Sequence, residues 1–337
     1  MLEKSVRICT SMPTKVSICI PVYGVERYIE RCARSLFEQT YENIEYIFID
    51  DCTPDNSIGI LKKIIDDYPD RKESVRIIRH EYNKGLAIAR TTAVANATGE
   101  FVIHVDSDDW IELTMVEKML LMAIDNDFDV VWCDTMIHKQ EQQSIYHLKF
   151  DNNPKEMLKA IYQGKVPGWL CNKLIRRSFL EDFIAYKESM LEDVFFSTQL
   201  LLKPLRMGYI SEPLYNYNCK NRESLTASCD SCDSIMIESI PNIRHCYEHL
   251  VYKHCWEEFK EAFSIRIFQV KIALIKSNRY IEAQSFCSFV NSNIKIYPIN
   301  FPYSIVYWLG LNLGLFGRII MRMYFWGKRL KFLHHQR

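Results

Sequence analysis

Residues 101–110 read Phe-Val-Ile-His-Val-Asp-Ser-Asp-Asp-Trp. A largely apolar run, suited to a buried strand, stops at an acidic cluster, Asp106-Ser107-Asp108-Asp109. In open α/β sheets, ligands bind at the carboxyl ends of the strands. Asp106 and Asp108 stand two apart, so both can approach one small volume where the strand turns away. Clustered carboxylates repel unless a cation is present, and all-oxygen donors select Mg2+ or Mn2+. A hard cation held by few carboxylates keeps positions open for substrate phosphate oxygens. The cluster therefore points to metal-assisted chemistry on a phosphate-bearing substrate. An acidic surface loop would carry the same letters, so the rest of the N-terminal half has to discriminate.

From residue 15 to about 135, strand-like and helix-like segments alternate. Val16–Ile20 is an apolar run ended by Pro21, and residues 27–39 follow a helical period with Ile29, Cys32, Leu36 and Phe37 on one face. Ile44–Ile49 runs into Asp50-Asp51. Pro54-Asp55-Asn56-Ser57 supplies turn and cap residues for a helix with Ile58, Leu61, Ile64 and Ile65 inward. Val75–Arg79, Phe101–Val105 and Asp129–Cys133 are further strand candidates, and Gly85–Ala97 is an Ala-rich helix able to lie close to a sheet. Strands spaced by such helices imply βαβ units and a mostly parallel sheet. This half has the pattern of a nucleotide-binding α/β layer structure. Beyond it, Glu188–Leu202 and residues 235–290 read as helical, with a soft boundary near 220–235.

Composition narrows the partners. Of 337 residues 48% are hydrophobic, enough for a sizeable core, while Lys+Arg and Asp+Glu balance at 42 each. That neutrality gives no support to nucleic-acid binding. The 12 cysteines are scattered, several within apolar runs, which suits free thiols in a reducing compartment. Met1–Arg7 lacks an apolar run, so no signal peptide is expected and the protein is expected in the cytoplasm.

Three more signals fall at strand ends or helix starts. Pro21-Val22-Tyr23-Gly24 would hold Tyr23 at the sheet edge, where its ring can stack on a nucleobase. Of Asp50 and Asp51, one could accept from a base N–H and the other could cap the next turn. Arg90, following Asn83-Lys84-Gly85, would sit early in a helix and reach a base carbonyl or a phosphate. Each residue has an ordinary structural explanation singly; in this order they support one another.

Val-Ser-Ile-Cys-Ile-Pro-Val-Tyr, Ile-Phe-Ile-Asp-Asp, Glu-Tyr-Asn-Lys-Gly-Leu-Ala-Ile-Ala-Arg and His-Val-Asp-Ser-Asp-Asp-Trp, in that order, resemble family 2 glycosyltransferases of the bacterial surface-polysaccharide type. The resemblance is close over 15–135 and looser to about 225. It implies an α/β GT-A fold, a mostly parallel sheet flanked by helices, with a mainly helical C-terminal region. It also implies inverting transfer from a nucleotide-diphosphate sugar, usually UDP-linked, to a saccharide acceptor. On that mapping Pro21 and Tyr23 contact the uracil, and Asp51 takes its N–H. Arg90 contacts base or diphosphate, Asp106 lies near the ribose, and Asp108, with Asp106, holds Mn2+ or Mg2+. Gly24 and Thr91 depart from the commoner Asn without removing a needed group. Met190–Phe196 resembles the family's Glu-Asp segment, which makes Asp193 the expected base and Glu192 the alternative; carboxylates opening a helix are the plainer explanation. Arg222 and Ser224 are candidates to close over the diphosphate, and Trp169, Asn172 and Lys173 to line the sugar or acceptor pocket.

The implied organisation is a transferase domain over 1–225, with a nucleotide half at 15–135 and an acceptor half at 136–225, then a helical region at 226–337. No residue from Ile296 to Gly317 is charged, and an aromatic, basic segment follows. Pro298, Asn300, Pro302, Ser304 and Asn312 interrupt the stretch, so it suits a membrane surface better than a span. A lipid-linked acceptor, such as a polyprenyl-diphosphate sugar, and a peripheral place on the inner face of the plasma membrane follow as expectations. Cys229, Cys232, His245 and His249 have zinc-finger spacing, but Met236, Pro241 and Asn242 spoil the finger's core and helix, and no zinc is expected. Two other functions stay open. A nucleotidyltransferase would need a Gly-rich basic loop after the first strand, which 22–28 does not supply. A catalytically silent sugar-nucleotide or glycan-binding module would not need Asp108 together with Glu192-Asp193.

Overall fold

The computed structural model describes residues 14–277 and 279, apart from 141, 188, 189, 222, 223 and 225–231. They form two compact units. Of the described residues, the first contains those up to His147 with Cys171–Phe183 and Arg206–Asn218, and the second contains Leu148–Leu170, Ile184–Leu205 and those from Cys219 onward.

The first unit is a nine-stranded sheet with helices. Its strands are β1 (Val16–Val22), β2 (Ile44–Asp50), β3 (Val75–Arg79), β4 (Phe101–His104), β5 (Trp110–Ile111), β6 (Val130–Lys139), β7 (Gln142–Tyr146), β8 (Lys173–Arg176) and β9 (Met207–Asn218). The order is β3-β2-β1-β4-β8-β6-β9-β5, with β7 on β6. Most paired residues lie in parallel ladders, β1 with β2 and β4, β2 with β3, and β6 with β9. β8 enters antiparallel between β4 and β6, so those two strands point the same way.

Every residue of β1 and β2 is buried, as expected of strands covered on both faces. α1 (Ile29–Phe37) buries Ile29, Cys32, Leu36 and Phe37, the face its periodicity marked. Each such large apolar side chain contributes roughly 1.5–3 kcal/mol. α2 (Ser57–Asp67) packs on α1, and the four-residue α3 (Pro69–Lys72) follows it. α4 (Leu86–Ala95) lies on β1 and β2, and α5 (Met115–Asn126) on β6 and β9. The alanines of α4 give the close approach, with Ala87, Ala89 and Ala93 buried.

β1 does not end at Pro21. It runs on to Val22, which pairs with Asp50. Cys19 turns its carbonyl to β4 and accepts from the Val105 amide. Pro21, two residues on, faces the same side just past the end of that ladder. Its missing N–H therefore costs no ladder bond.

Polar groups inside the sheet are matched. Glu45, buried on β2, accepts from the Ser17 hydroxyl (2.6 Å), the Thr98 amide (2.6 Å) and Arg76 (2.8 Å), and lies 3.2 Å from Lys15. Gly99 is required there. A Cβ would sit within 2.8 Å of the Lys15 carbonyl and the Ser17 amide.

The second unit is helical: α6 (Pro154–Tyr162), α7 (Glu192–Leu201), α8 (Cys232–Glu238), α9 (Ile240–Tyr252) and α10 (Trp256–Lys276). α10 packs on α6, α8 and α9, and α7 on α9. Tyr162 sits edge-on to Phe259 and Phe263, and its hydroxyl meets that of Thr198 at 2.8 Å. Among the described residues no helix is long and apolar enough to cross a membrane. The 296–337 tail lies outside the described residues.

Candidate active site

The acidic loop leaves β4 at the carboxyl edge of the sheet, and its three aspartates diverge in role. Asp109 is buried: its Oδ2 accepts from the Tyr215 hydroxyl at 2.6 Å and its Oδ1 from the Asn218 amide at 2.7 Å. Burial, then Asp108 and Asp106, push its carboxyl well above the usual range. The Tyr215 hydroxyl also accepts from the Asp106 amide (3.2 Å), and the Asn218 side chain donates to the Asp108 carbonyl (3.1 Å). Asp109 is thus the anchor that ties the loop to β9. Asp106 and Asp108 stay partly exposed.

Arg90, buried in the second turn of α4, donates from Nη2 to Asp106 Oδ1 at 2.6 Å. α4 opens at Gly85, whose φ of 91° lies in the left-handed region that glycine tolerates. Beneath the loop, burial pushes His104 down to about 3, and Arg90 and Lys173 add to this, so its imidazole is neutral.

Asp50 and Asp51 are both buried and bind different turns. Asp50 Oδ1 accepts from the Thr53 amide at 2.9 Å. Asp51 Oδ1 meets Nδ1 of His80 (2.6 Å) and the Lys84 amide (2.8 Å), and Oδ2 accepts from the Gly85 amide (2.9 Å). A carboxylate has about four acceptor directions, so one remains on Oδ2. Asp51 therefore shapes the 83–85 turn as well as offering an acceptor. Cys52, next to it, has φ 57°.

Tyr23 is 51% exposed at the same edge, beyond Pro21. Gly24 turns at φ 67°, and its amide donates to Thr53 Oγ1 at 2.9 Å. Asp55 binds the Glu26 amide and the Ser57 hydroxyl, which fastens the Tyr23 loop to the start of α2.

In the helical unit, Glu192 and Asp193 open α7, with Glu192 buried and Asp193 partly exposed. The Val194 amide donates to Asp193 Oδ1 at 2.8 Å. Leu191 before them has φ 58°. A non-glycine residue held there costs about 1–3 kcal/mol, and such strain gathers at functional sites. Trp169 is half-buried in this unit, and Arg222 lies outside the described residues. Asn172 and Lys173, in the sheet unit, are buried; Lys173 Nζ sits 3.8 Å from the Trp132 ring centroid. His245 and His249 lie on α9, with His245 stacked on Tyr186 at 3.6 Å; Cys229 is outside the described residues.

Among the described residues no group of three or more His, Cys, Asp or Glu converges as a metal cage. The donor set that exists, Asp106 and Asp108 with oxygen ligands only, fits a hard cation completed by substrate oxygens.

A family model described as glycosyl transferase family 2 matches residues 17–184. Residues 17–184 form a domain of this family. EpsH of Bacillus subtilis (strain 168), named as a candidate glycosyltransferase, is 35% identical over 60% of this chain and 60% of its own length. The chain thus spans less than two thirds of that relative. Staphylococcus aureus TarS 1–349, solved with UDP-GlcNAc, aligns over 93% of this chain and 92% of its own at a TM-score of 0.56 and 19% identity. The mannosyltransferase PcManGT of Pyrobaculum calidifontis, solved with GDP-Man and Mn2+, aligns over 93% and 88% at 0.53 and 14%. These likenesses establish a GT-A-type fold.

Sequence inspection missed Tyr215, Asn218 and His80. Tyr215 and Asn218 are more than a hundred residues from the loop they hold, and no local pattern marks them. His80 directly follows β3, at the edge where the other signals cluster, and could have been noticed there.

Proposed function

We propose that this protein moves a sugar from a UDP-linked donor to a saccharide hydroxyl, with inversion at the anomeric carbon. The Arg90–Asp106 pair beside Asp108, on a loop locked at the carboxyl edge of β4, carries this most strongly. Family membership and the nucleotide-sugar complexes of TarS and PcManGT support it. The two neighbours hold different nucleotides, so UDP is part of the proposal.

Tyr23 and Pro21 would pack on the base, and the remaining acceptor direction of Asp51 would take its N–H. Asp106 would meet the ribose, while Arg90 and Arg222 would offset diphosphate charge. Asp108 and Asp106 would hold Mn2+ or Mg2+, which when bound neutralises charge growing on the departing diphosphate. The acceptor oxygen attacks the anomeric carbon, the bond from that carbon to the diphosphate oxygen breaks, and UDP leaves. The acceptor proton passes to Asp193, or to Glu192 in the alternative assignment. Residues 1–225 would form the transferase domain and 226–337 a helical region whose basic tail rests on the inner membrane surface. The acceptor would be a polyprenyl-linked saccharide of cell-surface polysaccharide or lipopolysaccharide synthesis.

The test is UDP release by the purified protein from a panel of UDP-sugars, with and without Mn2+, since donor hydrolysis needs no known acceptor. Metal-dependent release from one sugar, lost in Asp108→Ala, is expected. Absence of release from UDP-, GDP- and dTDP-sugars, together with no nucleotide binding, would overturn the proposal in favour of a silent module. Asp193→Asn is expected to abolish transfer while UDP affinity stays within about twofold.

A further inference from the structure

Asp134, within β6, is a buried carboxylate that has no part in the chemistry above. Leu174 of β8 lies opposite Ile103 of β4 on one side and Val131 of β6 on the other. Asp106 and Asp134 each come three positions after those residues in the chain, Asp106 beyond the end of β4 and Asp134 within β6. Two strand spacings, about 10 Å, separate β4 from β6.

Asp134 has 0% exposure. The Tyr209 hydroxyl donates to its Oδ1 at 2.6 Å, and Nδ1 of His147 lies 2.8 Å from its Oδ2. The His147 side chain is 69% exposed. The β6–β9 register shifts on both sides of Asp134. Such irregularities re-aim a side chain and gather near active sites. A buried carboxylate on Nδ1 keeps the proton there, so Nε2 presents its lone pair outward. Nε2 has no hydrogen-bond partner among the described residues. A solvent-facing histidine kept for solubility has no need of this support, because burying a carboxylate is expensive unless it is paired.

We infer that His147 binds the acceptor. Its Nε2 accepts a hydrogen bond from a hydroxyl of the incoming saccharide, and Asp134 and Tyr209 are positioning residues that fix the ring. A ring nitrogen that offers a lone pair suits a hydroxyl donor and does not suit a phosphate. The inference rests on the transferase proposal and extends it to the acceptor side.

The experiment compares two reactions of the full chain: UDP release in water, and transfer to a panel of octyl glycosides. His147→Ala should leave UDP release within about twofold of wild type and raise the KM for the best octyl glycoside about 5–10-fold, with kcat little changed. His147→Gln, which places an oxygen near the Nε2 position, should restore part of this. Histidine 15N spectra should show His147 protonated at Nδ1, and Tyr209→Phe and Asp134→Asn should shift it toward the other tautomer. An unchanged KM overturns the inference, as does an equal loss of UDP release. Wild-type donor hydrolysis with no octyl glycoside accepted also counts against it. No UDP release by wild type at all defeats the transferase proposal instead, so the two failures are distinct.

Discussion

Glu45→Gln tests how the sheet beneath the site is held. Glu45 is 4% exposed and takes hydrogen bonds from β1, β3 and the turn before β4. Burial alone would raise its carboxyl; the bonds from Ser17, the Thr98 amide and Lys15 outweigh this and hold it at about 2, against an ordinary 4.5. At 1.36 kcal/mol per tenfold change, the difference is worth roughly 3 kcal/mol at neutral pH. The folded value is depressed, so this stability is present above the unfolded value and is lost as pH falls from about 5 toward 2. Urea unfolding of wild type and Glu45→Gln, followed by tryptophan fluorescence, measures it. The gap should be about 3 kcal/mol at pH 7 and shrink to about 2 kcal/mol by pH 3.5. A gap below about 1 kcal/mol at pH 7, or one independent of pH, would refute the ionic basis of this junction.

Tyr215→Phe removes one oxygen that serves both Asp109 and the Asp106 amide. It should cost about 2 kcal/mol of stability and about tenfold in Mn2+-dependent UDP release, and unchanged release would mean that β9 does not position the loop. Asp51→Asn places an amide N–H among three donors. A stability loss of about 2–3 kcal/mol is expected, with UDP affinity, measured by calorimetry, weakened more than about tenfold. Wild-type affinity in a destabilised Asp51→Asn protein would confine that residue to shaping the 83–85 turn.

The chain's local patterns determined a great deal. Continuous apolar runs marked β1, β2 and β4, the inward faces of α1 and α2 were legible from spacing, and the exits of those strands named Tyr23, Asp51, Asp106 and Asp108. These features are local: a buried parallel strand is apolar along most of its length, and the residues just past its carboxyl end are delivered to the ligand edge. The sequence assigns Asp109 no role beside Asp106 and Asp108. Only the arrival of Tyr215 and Asn218 on β9 makes Asp109 an anchor and leaves its neighbours at the surface. β8 is four residues long and carries Lys173, so it has no periodicity to announce it, yet its insertion antiparallel between β4 and β6 makes those two strands point the same way. The Asp134–His147 pair likewise depends on β7 folding back on β6 and on a break in strand register. Sequence determines which residues can form a strand or helix, because that depends on neighbours a few positions away. Which carboxylate is buried, paired or open is decided by strands that meet from distant parts of the chain, and only the tertiary structure brings them together.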